Sequence, residues 1–365
     1  MEKVRVGVVG LGYMGMQHAH MLADGSVKRA ELVALSSSDP AKRAQFLDVR
    51  GYDTCQEMVS SGDIDAIVIA TPHMSHVDLG ICALQAGLHT MVEKPLASSK
   101  GEAERLLLAR EESRQVFAIM FNLRTRPILQ KVREIVISGE LGEVRRVNWT
   151  ATMFFRPEVY YARSAWRGTW AGEGGGVLLN QAPHHLDLLQ WIVGMPALVR
   201  GFCKLGRYHN IEVEDDATAY LEWPNGATGT FTVSTGEAPG TTRIEIAGEM
   251  GRLVYENDRI SFLKIAQPMS EFGRVHPDPM GKPAIEDVAV SAELHGGNYV
   301  EMLQNFVDAI LDGTALIAPA EDGLKSLELA NAILLSSLLE KPVTMPINAP
   351  QYDAEIQKLM RNAVP

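Results

Sequence analysis

The chain has 365 residues, too many for one ordinary core and suited to two domains of common size. Its 46% hydrophobic and 22% charged residues are globular values, and a formal charge of −11 without a dense Lys/Arg block argues against a nucleic-acid or anionic-membrane surface. No uncharged apolar run of about 18 residues occurs, and three widely spaced cysteines, Cys55, Cys82 and Cys203, point to neither a disulfide framework nor a Cys-based zinc site. A soluble cytoplasmic protein is expected, with no metal and with the cysteines acting as small hydrophobes. An acidic chain can still hold a nucleotide, because amides at a helix N-terminus bind phosphate without net positive charge.

Val4 to Val9 is β-branched, short and stopped by glycine, which predicts a buried strand. It runs into Gly10-Leu11-Gly12-Tyr13-Met14-Gly15 and a helical segment to about Ala23. Strand, glycine turn and helix in this order are the context that a dinucleotide-binding turn requires. Gly10 permits the tight turn, Gly12 lets backbone approach a pyrophosphate, and Gly15 lets helix and strand pack closely. The next strand, Glu31 to Leu35, leads to Ser36-Ser37-Ser38-Asp39, where an acidic residue would grip the adenosine ribose of NAD. Asp39-Pro40 also reads as a helix cap. Lys42 and Arg43 could reach a 2′-phosphate, so NAD is favoured and NADP stays open.

Strands at Ala66 to Ala70 and Thr90 to Val92, a helix from His76 to Ala86, a second from Glu102 to Arg114 and a last strand from Val116 to Phe121 continue the alternation. Strands alternating with helices imply a doubly wound parallel sheet, whose ligands bind outside the carboxyl ends of the strands. Thr71-Pro72-His73 with His76, and Glu93-Lys94-Pro95, sit there. The boundary is placed at Asn122, dividing a dinucleotide-binding domain (1–122) from an α+β domain (123–365).

Beyond Asn122 the pattern changes. A helix from Pro127 to Ser138 precedes strands at Glu143 to Phe155, Val199 to Leu205, Ala217 to Trp223, Ala227 to Ser234, Arg243 to Ala247, Arg252 to Tyr255 and Ile260 to Ile265. Their period-2 alternation predicts a large, mainly antiparallel sheet with helices on one face. Its open face suits a second subunit, so a homo-oligomer is expected. Gln267 to Asn298 reads as an irregular excursion, and helices from Tyr299 to Leu311 and Asp322 to Leu339 as packing elements.

Phe154 to Trp170 gathers aromatics, arginines and hydroxyls without clear periodicity. Such a surface suits a polyhydroxylated ring, covering its C–H face and bonding its oxygens; an aromatic plug between domains is the alternative. Next comes Gly174-Gly175-Gly176 and a run to Gly194 in which Asn180, His184 and Asp187 fall near one helical face. Metal ligands, a proton relay and satisfied polar groups all fit that cluster. His185 points elsewhere and reads as structural, and Pro183 should kink or begin a helix.

Taken together, Gly10 to Gly15, Thr71-Pro72-His73 with His76, Glu93-Lys94-Pro95, and Gly174-Gly175-Gly176 through Asn180, His184 and Asp187 resemble the glucose–fructose oxidoreductase/inositol dehydrogenase (Gfo/Idh/MocA) family along the whole chain. The resemblance implies a Rossmann domain, an open-faced sheet domain, and hydride transfer between a nicotinamide and a sugar or polyol. It makes Lys94 the catalytic lysine and His184 the acid/base. Many members carry aspartate where this chain has Asn180; an amide can orient an alcohol but cannot take its proton. Tyr13, Met14, Ser37, Asp39, Thr71, Pro72, His73, His76, Glu93, Lys94 and Asn122 are expected at the cofactor beside the glycines. Lys94, Arg124, Tyr160, Trp166, Arg167, Asn180 and His184 are expected at the substrate. The Tyr160 to Trp170 segment and Leu179-Asn180-Gln181 look most like members that oxidise a ring hydroxyl, often C3, of glucosides or anhydrosugars. Inositol dehydrogenation, or nucleotide sensing without turnover, is the alternative.

Overall fold

The computed structural model describes residues 2–293 and 296–362. The chain forms two compact units: one takes residues up to Thr125, Gly172–Gly174 and Gly297–Leu327, the other Arg126–Ala171, Gly175–Gly296 and the chain from Glu328 on.

The first unit is a parallel sheet of β1 (Val4–Val9), β2 (Ala30–Ser36), β3 (Arg50–Tyr52), β4 (Ala66–Ile69), β5 (His89–Val92) and β6 (Phe117–Ile119). The order β3-β2-β1-β4-β5-β6 is doubly wound, reversing direction beside β1 and β4. All four residues of β4 and five of six in β1 are buried, as expected where helices cover both faces of a parallel sheet. The connecting helices begin where the sequence offers a cap. Ser99 caps Lys100–Ser113, and Thr54 with Glu57 makes a reciprocal capping box at Cys55–Ser60, a helix that hydrophobic periodicity did not announce.

The first unit runs three residues past the boundary expected at Asn122 and takes in two later segments. Helix Tyr299–Asp312 belongs to the first unit, where it packs on β1 and on the turn at Asn122–Thr125. Asn298 caps it and Gly313, in the left-handed conformation, ends it. Arg29 fixes this helix through Asp308 and Asp312. An amphipathic helix goes where its apolar stripe is buried, and sequence order does not decide that place.

The second unit is a nine-stranded sheet of β7 (Val144–Ala151), β8 (Leu198–Leu205), β9 (Glu214–Glu222), β10 (Thr228–Ser234), β11 (Thr242–Gly248), β12 (Gly251–Glu256), β13 (Arg259–Ile265), β14 (Ile285–Val288) and β15 (Val343–Thr344). Its order is β14-β13-β12-β11-β7-β10-β9-β8-β15, and only β7 and β10 pair in parallel. Trp149, Phe231, Ile244 and Leu253 face the buried side. Helix Ala320–Leu338 approaches β8 so closely that a side chain at Gly201 would overlap the Ile333 carbonyl. Ser336 and Ser337 accept from the amides of Gly201 and Cys203 there. The other face is open: Phe202 is 51% exposed, and Tyr220 is exposed beside it. β7 stops at Ala151, short of the expected Phe155, and the 267–298 excursion contains helix Met269–Val275 and the edge strand β14.

Candidate active site

In the first unit the glycine turn separates three requirements. Gly10 has φ +87°, and a Cβ there would lie 2.7 Å from the Ala70 carbonyl. A Cβ on Gly15 would overlap the Gly10 carbonyl at 1.8 Å. Gly12 has an ordinary φ of −73°, and a Cβ there would meet no protein atom within 4 Å. Folding therefore requires the outer two glycines but not the middle one, whose bare backbone opens the start of helix Tyr13–Ala23 to a phosphate. Tyr13 stands 81% exposed on the same turn.

At the end of β2, Asp39 caps helix Pro40–Arg43 by accepting from Ala41 N at 3.0 Å, and its own amide donates to the Ser37 hydroxyl. Arg43 is held by the carbonyls of Ser37 and Tyr52 and by Asp53. These partners occupy the guanidinium that a 2′-phosphate would need.

Beyond β4, Thr71 accepts from the Ser75 hydroxyl at 2.7 Å, and His73 is buried with Nδ1 3.3 Å from the Glu173 carbonyl. His76, expected at the cofactor, braces the loops that follow β4 and β5. It is fully buried, with Nε2 2.9 Å from the Thr71 carbonyl and Nδ1 2.8 Å from that of Pro95, so it ties the two strand-end loops together. Burial lowers its pKa against those two carbonyls.

Glu93 and Lys94 follow β5. Glu93 is buried, takes His18 Nε2 at 2.7 Å on one oxygen and accepts the Lys94 amide at 3.2 Å on the other. His18 was not singled out in the sequence. The available signal was its place on the buried stripe of its helix with Gly15, Ala19 and Leu22. The Tyr299 ring packs edge-on against His18, and burial, then Glu93, raises the Tyr299 phenol to about 12. The Asn122 carbonyl accepts from the Thr125 hydroxyl. Arg124, expected at the substrate, is 1% exposed and bonded to Asp322 at 2.8 Å and to the Ile317 carbonyl at 2.9 Å. It is a buried strut, because its long side chain reaches the returning C-terminal segment.

In the second unit the run after Gly174 is two helices, Val177–Asn180 and Pro183–Val193, with Pro183 at the first turn of the second. Asn180 and His184 therefore do not share one helical face; each comes from its own element. Glu214, fully buried, accepts from Gly176 N at 2.9 Å and Leu178 N at 3.1 Å, so a carboxylate 36 residues on holds the first helix. A side chain at Gly176 would strike the Glu214 carbonyl, which accounts for the last glycine of the triplet.

His184 is half-buried. Its neighbour His185 is buried, accepts the Trp149 indole N–H on Nδ1 at 3.1 Å, and has its pKa pulled down by burial to about 4. An indole only donates, so His185 is the neutral Nε2–H tautomer. Asp187 is buried and accepts from Gln190 Nε2 at 2.9 Å.

The aromatic segment is ordered from outside itself. Asp215, fully buried, accepts from the amides of Arg207, Tyr208 and His209, and His209 passes the link to the Arg156 carbonyl at 2.7 Å. Glu212 accepts the Trp170 amide, and the Tyr161 hydroxyl donates to Thr235. The Tyr160 hydroxyl receives Asn180 Nδ2 and Gln181 Nε2, both at 3.4 Å, and the Arg167 guanidinium lies over the rings of Tyr160 (4.3 Å) and Trp166 (4.9 Å). Four residues expected at the substrate, Tyr160, Trp166, Arg167 and Asn180, are thus one connected, half-buried cluster.

Two family descriptions match the chain: "Oxidoreductase family, NAD-binding Rossmann fold" over residues 4–121 and "GFO/IDH/MocA C-terminal domain" over residues 129–254. Inositol 2-dehydrogenase from Rhizobium meliloti is 25% identical, with 94% of this chain and 99% of that protein covered. Levoglucosan dehydrogenase from Pseudarthrobacter phenanthrenivorans is 23% identical, covering 95% and 99%. Among solved structures, the WlbA dehydrogenase of Bordetella pertussis, in complex with NADH and UDP-GlcNAcA, superposes with a TM-score of 0.81 at 28% identity, covering 95% of this chain and all of that one. The two matched domains are those of one enzyme family in its own order, and the chain belongs to it: the Gfo/Idh/MocA family of NAD-dependent oxidoreductases.

Proposed function

We propose that the protein oxidises a ring hydroxyl of a sugar, C3 of a glucoside or anhydrosugar, with Lys94 and His184 as its catalytic pair. The observation that carries this reading is the cluster in which Arg167 lies over Tyr160 and Trp166 and the Tyr160 hydroxyl meets Asn180 and Gln181, immediately before the helix that bears His184. It offers an apolar face and oriented amides to a polyhydroxylated ring. We assign Gly12, Tyr13, Met14, Ser37, Asp39, Thr71, Pro72 and Asn122 to the cofactor. NAD, when bound, supplies the hydride acceptor. His184 takes the hydroxyl proton, the Lys94 ammonium stabilises the developing alkoxide, and Asn180 orients the alcohol without taking its proton.

The test is a screen of glucosides, anhydrosugars and inositols with NAD and NADP, following reduced nicotinamide by absorbance. Glucoside turnover without inositol turnover is expected; the opposite pattern favours the inositol 2-dehydrogenase reading that one relative's name suggests. We also propose that the open face of the nine-stranded sheet pairs with a second copy of the chain. Light scattering then gives a mass above the 40.0 kDa of one chain, and a glutamate at Phe202 lowers it.

A further inference from the structure

We propose that the sugar carries a negative charge, a carboxylate or a phosphate ester, and that Arg167 binds it. This rests on the dehydrogenase reading for what happens to the sugar, but on Arg167 alone for the charge.

Phe154 to Trp170 contains three arginines, Arg156, Arg163 and Arg167, against one acid, Glu158. Glu158 accepts the Asn210 amide, and the nearby Glu212 accepts the Trp170 amide. No carboxylate among the described residues lies within ion-pair distance of Arg156 or Arg167, in a chain whose formal charge is −11. Among the described residues the Arg156 guanidinium donates only to the Phe155 carbonyl, and it lies over Tyr160. The Arg167 side chain lies over two rings, and its half-buried guanidinium donates to no acceptor among the described residues. The Nε of each is buried and meets no acceptor there.

Stacking alone does not produce this. Arg133 and Arg200 also lie over rings, and each donates to carbonyls: Arg133 to Trp191 at 3.0 Å, Arg200 to Ser336 at 2.9 Å and Gly201 at 3.0 Å. The buried Arg124 donates to both a carboxylate and a carbonyl. Arg167 departs from that pattern, and it sits where the sugar is placed, one aromatic ring away from Asn180. The rings fix the plane of its fork, and the fork's geometry is that of a bidentate pair with a carboxylate or phosphate. A neutral sugar would leave that charge unmatched.

The test uses matched pairs with the full chain and NAD: methyl glucoside against methyl glucuronoside, and glucose against glucose 6-phosphate. The charged member of at least one pair should show a kcat/KM about tenfold or more above its neutral partner, the size expected of a charge-assisted pair. R167Q should bring that ratio close to one, and R167K should keep part of it. NADH affinity and melting temperature of both variants verify folding. Preference in the first pair identifies a carboxylate, in the second a phosphate. Equal or better turnover of the neutral members, or an unchanged ratio in R167Q, overturns the proposal. If no sugar is turned over, calorimetry with glucuronate and glucose 6-phosphate decides. Binding abolished by R167Q keeps the anion site and removes the dehydrogenase reading, whereas no binding removes the anion site.

Discussion

Around Gly10 to Gly15 the backbone makes the binding surface, and around Tyr160 to Arg167 side chains make it. In the first region two glycines are demanded by neighbouring carbonyls, while the third is demanded by no protein atom. In the second, the cations rest on aromatic rings, and what holds the segment lies far along the chain, at Glu212, Asp215 and Thr235. A backbone cradle suits a ligand that never changes. A surface of side chains can change its ligand by single substitutions, which fits a family whose relatives are named for different sugars and polyols.

The most severe way to break this comparison is at the proposed chemistry. H184A should lower kcat by about 10²–10⁴-fold, the usual contribution of a positioned acid/base, with NADH affinity retained. K94A should cost at least as much, because it removes charge next to the scaffold of Glu93. Single-turnover kinetics check both, and an unaltered kcat for H184A would remove His184 from the mechanism.

Acid should expose how the unit that carries the second region depends on a buried side chain beside it. Buried His185 has a folded pKa of about 4 against an ordinary value of 6.5. Between these values the unfolded chain binds the extra proton. Stability is therefore full above pH 6.5 and falls as pH drops toward 4, by about 3 kcal/mol. Protonation also removes the lone pair that receives Trp149. Denaturant titrations from pH 7 to pH 4 measure the slope, and H185Q should flatten it.

The glycine turn sharpens the comparison at smaller cost. G15A places a methyl on the Gly10 carbonyl and should destabilise by about 1–3 kcal/mol, the range of an overpacked site. G12A, with no protein atom to strike, should leave the melting temperature alone and weaken NADH binding. A loss of stability in G12A equal to that in G15A would mean that the middle glycine serves the fold.

The regions also differ in how much their sequences disclosed. The glycine turn, the EKP segment and the alternating elements were legible because each is a local signal: a turn needs glycine where it bends, and a buried parallel strand needs a short apolar run. The position of His76 at a strand end is local information, whereas its two carbonyl partners are not, so its bracing contacts were not legible. The tie of Arg124 to Asp322 was hidden for the same reason, its partner lying 198 residues away. His18 left no local trace beyond a polar residue in an apolar setting, and Glu214 and Asp215 stand in the acidic run Glu212 to Asp216, where nothing local marks which carboxylates are buried. Pro183 was half legible: a break was expected, but its separation of Asn180 from His184 onto two helices followed only from the Glu214 carboxylate that caps the first.

Sequence by itself determined the doubly wound sheet, the dinucleotide turn, the alternation of the second sheet and the residue types offered for catalysis, since all of these are set by neighbours within a few positions. Tertiary structure decided which offered groups are committed to the fold and which are left open. Arg124 and Arg167 are both arginines in polar surroundings along the chain. One found a carboxylate and a carbonyl brought back by a returning segment, and the other's guanidinium, among the described residues, found only aromatic rings. A charge's role depends on the partners that reach it, and those partners are chosen by packing over distances that local sequence does not record.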